Sequence, residues 1–130
     1  MNDKLAFLKE TTPFNLLPEE VLTGIAELLQ EVKHKKDTLL YQQEITKMRG
    51  VDIIHTGSYE SFFYDGNEEK RDVENLERGN SYGGISVLLN KKRSLKTVIA
   101  KKGTVIYFLH RKDFRSLCVA YEDFFQHYTS

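Results

Sequence analysis

The feature that most constrains the fold of this chain is a series of short strand patterns between residues 31 and 109. Each pattern spans four to six residues that alternate in polarity or are rich in β-branched and aromatic side chains. They are Val32–Lys35, Thr38–Tyr41, Val51–His55, Tyr59–Tyr64, Asp72–Leu76, Leu95–Ala100 and Thr104–Leu109. Asp65-Gly66-Asn67 predicts a hairpin turn, because these residues tolerate positive φ. Many short strands separated by turns predict an antiparallel β-roll or jelly-roll barrel.

Helical patterns precede this β region, over residues 3–30. Pro18 followed by Glu19 and Glu20 is a typical helix start, since proline suits the first turn and carboxylates favour the positive end of the helix dipole. Apolar residues then recur at helical spacing through Leu29, which predicts an amphipathic helix. A shorter helix near residues 3–9 is ended by Pro13.

An aromatic-rich stripe after residue 110 predicts a helix over residues 111–128. Its members are Phe114, Leu117, Cys118, Tyr121, Phe124, Phe125 and Tyr128. The first half is predicted to pack against the roll. For Phe124, Phe125 and Tyr128 we favour an interface, either with a second copy in a homodimer or with a downstream module, and a lid over a ligand is the alternative. The fold class is therefore α+β, mainly β, as one domain over residues 1–130.

Composition narrows the class of protein. Nineteen Lys and Arg residues balance nineteen Asp and Glu residues, so no overall field attracts nucleic acid or a membrane surface. No apolar run is long enough to span a bilayer. The single cysteine, Cys118, excludes an internal disulfide and fits the reducing cytoplasm, and we expect it to be a buried apolar residue. These features predict a soluble cytoplasmic protein that binds neither nucleic acid nor membrane.

The sequence offers no recognisable catalytic or metal-binding pattern. The four histidines lack ligand spacing, no serine lies in a nucleophile elbow, and Cys118 has no base nearby in the sequence. We therefore expect a non-enzyme without metal or cofactor. A small barrel enzyme of the cupin kind remains a further alternative.

A glycine-rich segment, Gly79 to Gly84, leads into a short apolar run at residues 85–89. Glycines let backbone N–H groups converge without obstruction by Cβ, and a helix N-terminus there favours an anion. Nine residues beyond Gly84, the forked guanidinium of Arg93 suits a phosphate. This predicts a phosphate cradle formed by Gly83, Gly84, Ile85 and Ser86 with Arg93. The alternative is a simple turn whose arginine faces solvent.

The order of these segments resembles the cyclic nucleotide-binding domain family, which includes the catabolite activator protein and protein kinase A regulatory subunits. The similar fragments are Phe14–Leu22, Ile53–Glu60, Leu76–Gly83, Thr97–Ala100 and His110–Phe114. Phe7–Lys9 and Pro13–Pro18 further resemble a bacterial signalling subgroup. In that subgroup the domain precedes cystathionine-β-synthase-type and nucleotidyltransferase-like modules.

The resemblance implies two ligand contacts in the cassette, a carboxylate for the ribose hydroxyl and an arginine for the cyclic phosphate. Gly84 stands at the carboxylate position, and either Arg93 or, in a shifted register, Ser94 stands at the phosphate position. An unpaired buried hydroxyl would cost about 1–3 kcal/mol, or roughly a factor of 5 to 150 in affinity. The resemblance thus implies a degenerate cassette.

Together these features predict a non-catalytic regulatory or sensory module. A cyclic nucleotide or another nucleotide would bind at the cassette and shift the C-terminal helix. The alternative is an interaction or dimerisation domain that keeps the fold without a ligand.

Overall fold

Two four-stranded antiparallel sheets pack face to face in the computed structural model, which describes residues 3–129. The strands are β1 (Gln30–His34), β2 (Thr38–Tyr41), β3 (Gly50–Thr56), β4 (Tyr59–Tyr64), β5 (Lys70–Leu76), β6 (Ser81–Tyr82), β7 (Thr97–Ala100) and β8 (Thr104–His110). The first sheet has the order β1-β8-β3-β6 and the second has the order β2-β7-β4-β5. Strands that follow each other in sequence thus alternate between the two sheets, except for β4 and β5, which are neighbours in the second sheet. This is the arrangement of a β-roll.

Helices precede, interrupt and follow the strands. They are α1 (Asp3–Lys9), a 3-10 turn (Phe14–Leu16), α2 (Glu19–Leu28), α3 (Gly84–Leu88), α4 (Arg111–Ala120) and α5 (Glu122–Thr129). Helix α2 begins directly after Pro18, with both glutamates in its first turn, as predicted. The α+β, mainly β, class with a short cassette helix is therefore confirmed. No helix between residues 3 and 129 is long and apolar enough to cross a membrane.

Strand β3 is buried from Gly50 to Ile54, and Asp52 is the only charged residue in this buried stretch. Val51 and Ile53 belong to a core shared with the helices, whereas Ile54 belongs to a core between the sheets. Cys118 lies in the helical core, as expected, and burial raises the pKa of its thiol to about 11. A thiol in this state is predominantly protonated at neutral pH.

The predicted single helix over residues 111–128 is wrong, because it is divided at Tyr121. The backbone there is extended, with φ −129° and ψ 104°. The break allows Tyr128 to contact Phe114, with ring centroids 4.9 Å apart. In a straight helix these residues would be about 20 Å apart, given a rise of about 1.5 Å per residue. The aromatic stripe therefore folds back on itself instead of continuing outward.

A buried carboxylate joins the two sheets. Asp52 on β3 accepts hydrogen bonds through Oδ2 from the hydroxyls of Tyr41 on β2 and Tyr59 on β4, each 2.8 Å long. Burial raises the pKa of Asp52 to about 6, partly opposed by the two hydrogen bonds. Burial also raises the pKa of each tyrosine, and the nearby Asp52 charge adds to this effect.

Candidate ligand-binding cavity

A cavity of about 620 Å³ opens between the second sheet, the cassette and α5. This volume lies within the range of small-molecule sites. Its walls come from residues 10–12, from Ser61, Glu74 and Leu76 on the sheet, from the segment 78–86, from Leu95 and Lys96, and from His127 and Tyr128 of α5. Parts distant in sequence thus meet around one space.

The glycines and the short helix predicted as the cassette line one wall of this cavity. Gly83, Gly84, Ile85 and Ser86 all contribute to it. Gly83 has φ +109°, and a β-carbon there would lie 2.6 Å from the carbonyl oxygen of Gly50. Glycine is therefore required at this turn by both conformation and space. The first turn of α3 contains no acidic residue.

Arg93 and Ser94 lie outside the cavity lining, so the structure does not bring them together with the cassette glycines. The Arg93 guanidinium donates a hydrogen bond to the Ile45 carbonyl oxygen at 2.7 Å. Arg93 also forms an isolated antiparallel bridge with Lys47, and this pairing orients the segment. The backbone N–H of Met48 donates to the Lys92 carbonyl and extends the same pairing.

Ser94 is fully buried and its hydroxyl is engaged on both sides. Its Oγ lies 2.7 Å from the Tyr82 hydroxyl oxygen and donates to the Lys96 carbonyl at 2.6 Å. The backbone N–H of Lys96 donates to the same tyrosine hydroxyl at 3.1 Å. Ser94 thus supports the turn before β7.

Helix α5 closes the cavity next to the cassette through Tyr128. A β-carbon built on Gly84 would lie 2.8 Å from Tyr128 Cδ1. The Tyr128 hydroxyl lies 3.5 Å from Ser81 Oγ, and burial raises the pKa of this tyrosine to about 12. The phenol is therefore neutral at physiological pH and presents an apolar ring to the Gly84 backbone.

The other two aromatic residues assigned to an interface or lid differ from each other in burial. Phe124 is fully buried, with its ring centroid 5.2 Å from that of Phe14 and 5.7 Å from that of Phe114. Its assignment to an interface is therefore corrected to a core position, because the bend at Tyr121 turns it inward. Phe125 is 38% exposed.

Two cations that line the cavity each have a carboxylate partner. Arg78 lies 3.8 Å from Glu10, and Lys96 lies 3.4 Å from Glu74. Arg78 also donates to the His55 carbonyl and lies over the Phe7 ring. Arg78 is a cavity residue that was not predicted, although its position directly before Gly79 in the sequence was an available signal.

Ser61 on β4 is a site residue that sequence reasoning also missed. Its side chain is 1% exposed, and its Oγ has no hydrogen-bond partner among residues 3–129. It lines the cavity and lies opposite Glu74 of β5 and Val98 of β7 in strand register. Since most buried hydroxyls are hydrogen-bonded, this one is an exception that needs an explanation. Nothing in its local sequence distinguishes it from an ordinary strand serine.

A family model matches most of this chain. The family model described as "Cyclic nucleotide-binding domain" matches residues 31–121. A search of curated protein sequences finds no match.

Solved structures with the same fold include regulatory proteins from bacteria and eukaryotes. The sensor domain of the transcriptional regulator DNR from Pseudomonas aeruginosa has a TM-score of 0.75 at 12% identity, covering 85% of this chain and 73% of that one. The regulatory domain of Toxoplasma gondii protein kinase A, crystallised with cAMP, has a TM-score of 0.76 at 23% identity, covering 87% and 42%.

A third similar structure is the regulatory subunit of a cAMP-independent protein kinase A from Trypanosoma cruzi, bound to guanosine. Its TM-score is 0.78 at 19% identity, covering 92% of this chain and 41% of that one. The chain therefore spans less than half the length of both kinase subunits. At these identities the likeness concerns the fold.

Proposed function

The chain belongs to the cyclic nucleotide-binding domain family, and from this premise we propose that it is a non-catalytic regulatory module whose cavity binds a ligand of the nucleotide class. Binding would be coupled to the position of α5. The proposed setting is a larger cytoplasmic signalling protein of the bacterial subgroup that the N-terminal segments resemble. The domain would act there as its sensor.

The observation that carries this proposal is the contact between Tyr128 and Gly84. The cassette and α5 share one cavity, and the Tyr128 ring occupies space directly against the cassette backbone. A ligand that approaches Gly84 must therefore contact or displace Tyr128. A ligand that displaces Tyr128 would bind more tightly when α5 has moved, and its binding would therefore shift the helix.

The cassette is proposed to be degenerate. Gly84 provides no carboxylate for a ribose hydroxyl, and the Arg93 guanidinium is directed to Ile45 instead of the cavity. We therefore expect weaker binding of cyclic AMP than a complete cassette would give. Because two structures with this fold contain cAMP and guanosine, nucleosides and cyclic nucleotides are the appropriate panel to test.

Calorimetric titration with cyclic AMP, cyclic GMP and guanosine tests the binding step, and hydrogen exchange of the α5 amides tests the coupling. We expect binding of at least one compound, with altered exchange in α5. Tyr128→Ala should retain binding but lose the change in exchange. Phe125→Ala is the matched control, because its ring is partly exposed and lies outside the cavity lining.

Absence of heat and of a thermal shift with all three compounds at millimolar concentration would refute the proposal. The alternative, an interaction domain that keeps the fold and dimerises through its C-terminal helices, would then be preferred. Sedimentation equilibrium of the wild type and Phe125→Ala would test that alternative. A concentration-dependent dimer that Phe125→Ala weakens would support it.

A further inference from the structure

We infer that the cavity takes an uncharged ligand rich in hydrogen-bonding groups, of the nucleoside class, in preference to its phosphorylated counterpart, and that Ser61 selects this ligand. The inference rests on the proposed function, since it assumes that the cavity binds a ligand. It adds the chemical class of that ligand and a specificity-determining residue.

The charges around the cavity argue against an anionic ligand. Arg78 and Lys96 already have Glu10 and Glu74 as ion-pair partners. A phosphate beside Arg78 would also lie near Glu10, and one beside Lys96 would lie near Glu74. In either position the two negative charges would repel each other. Removing a phosphate from water is unfavourable unless a cation compensates it. Besides His127, the charged residues of the lining within residues 3–129 form these two pairs, and no Lys or Arg of the lining lies outside a pair.

The cassette wall offers no cation of its own within the described residues. Gly83, Gly84, Ile85 and Ser86 carry no charge, and Arg93 is held outside by its hydrogen bond to Ile45. The five-residue helix α3 carries no basic residue. A neutral sugar with hydroxyl groups suits this wall better than a phosphate, because hydroxyls can hydrogen-bond to backbone groups without requiring a countercharge.

The sheet wall supplies the positive evidence for a polar ligand. Ser61 lines the cavity, and its Oγ is buried without a hydrogen-bond partner among residues 3–129. Its register neighbour Glu74 is a hydrogen-bond acceptor, and Lys96, 3.4 Å from Glu74, is a donor. A heterocyclic edge with both donor and acceptor atoms matches this set. A site built to hydrogen-bond a ligand discriminates strongly against analogues that lack the group.

The test compares guanosine with cyclic GMP by calorimetric titration of the full chain, at low and at high salt. We expect guanosine to bind at least about tenfold more tightly than cyclic GMP, with little dependence on salt. Ser61→Ala should weaken guanosine binding by roughly 5- to 150-fold. The melting temperature of ligand-free Ser61→Ala should equal or exceed that of the wild type, because the variant removes an unpaired buried hydroxyl.

Ser116→Ala is the matched control, since this serine lies on α4 and its hydroxyl donates to the Lys112 carbonyl at the surface. It should leave guanosine affinity unchanged. Tighter binding of cyclic GMP than of guanosine, or unchanged guanosine affinity in Ser61→Ala, would overturn this inference while leaving the proposed function intact. If cyclic AMP, cyclic GMP and guanosine all fail to bind the wild type, the proposed function fails and this inference with it.

Discussion

The ring of Tyr128 packs directly against the backbone of Gly84. A β-carbon on Gly84 would lie 2.8 Å from Tyr128 Cδ1 and 3.3 Å from Phe114 Cζ, and the φ angle of this glycine is not in the left-handed region. Glycine is therefore needed here for the close approach of α5 and not for backbone conformation. The ring abuts the position at which the family resemblance implies a carboxylate, so the side chain expected there has no room.

Gly84→Ala should destabilise the protein by about 1–3 kcal/mol, because the added methyl group overlaps the Tyr128 ring. In a Tyr128→Ala background the same substitution should cost clearly less, since the overlapping ring is gone. Urea denaturation of the four proteins in this cycle measures the coupling. Gly66→Ala is the control, because a β-carbon there meets no atom of residues 3–129 within 4 Å. Equal costs in both backgrounds would contradict the contact.

Phe124 and Phe125 are adjacent in sequence but should differ sharply in their effect on stability. Phe124→Ala should lower the free energy of unfolding by about 3–5 kcal/mol, since the ring is fully buried between Phe14 and Phe114. Phe125→Ala should lower it by less than about 1 kcal/mol. Chemical denaturation at two protein concentrations measures both. A cost for Phe124→Ala that depends on protein concentration would instead indicate an intersubunit role.

Substitutions of Arg93 and Ser94 should also differ in their effect on stability, because Arg93 forms an exposed hydrogen bond and Ser94 is buried. Ser94→Ala should cost about 1–3 kcal/mol, because it removes the hydroxyl bonded to Tyr82 and Lys96. Arg93→Ala should cost less than about 1 kcal/mol and leave ligand affinity unchanged. Denaturation and calorimetric titration with guanosine and cyclic AMP check the two parts. Loss of cyclic AMP binding in Arg93→Ala would return the phosphate role to this arginine.

The buried Asp52 should make stability depend on pH in a defined window. Its folded-state pKa of about 6 lies above the ordinary value of 3.8, so protonation favours the folded state. This contribution is fully present below about pH 4 and is lost as the pH rises through about 6. Its maximum is on the order of 3 kcal/mol. Lowering the pH from about 6 to about 4 therefore increases the contribution of Asp52 to the free energy of unfolding.

The comparison of wild type with Asp52→Asn isolates this effect, because asparagine does not titrate and other groups contribute equally to both proteins. Stability relative to the variant should fall between pH 4 and pH 6 and stay constant between pH 7 and pH 8. Urea denaturation across this range measures the difference. A stability difference that does not change with pH would show that Asp52 keeps an ordinary pKa.

Much of the fold could be predicted because helix starts and strands depend mainly on residues that are close together in the sequence. The start of α2 after Pro18 follows from proline geometry and the helix dipole, and the strand patterns follow from alternating burial. The two-residue strand β6 was not predicted, since Ser81 and Tyr82 are too few to show a period. The predicted strand over Leu95–Ala100 begins only at Thr97, because the residues before it form the turn that Ser94 supports.

The sequence by itself determined the order of the main helices and strands, except for β6 and the division between α4 and α5, and it placed a glycine-rich turn before a short helix. Only the tertiary structure decided that α4 and α5 bend apart at Tyr121, that Arg93 turns away, and that the buried Ser61 beside the cavity has no hydrogen-bond partner for its Oγ among the described residues. Periodicity reports which face of an element is buried, but not what covers that face. These three features depend on contacts between residues distant in sequence, and such contacts are set by the packing of the whole chain.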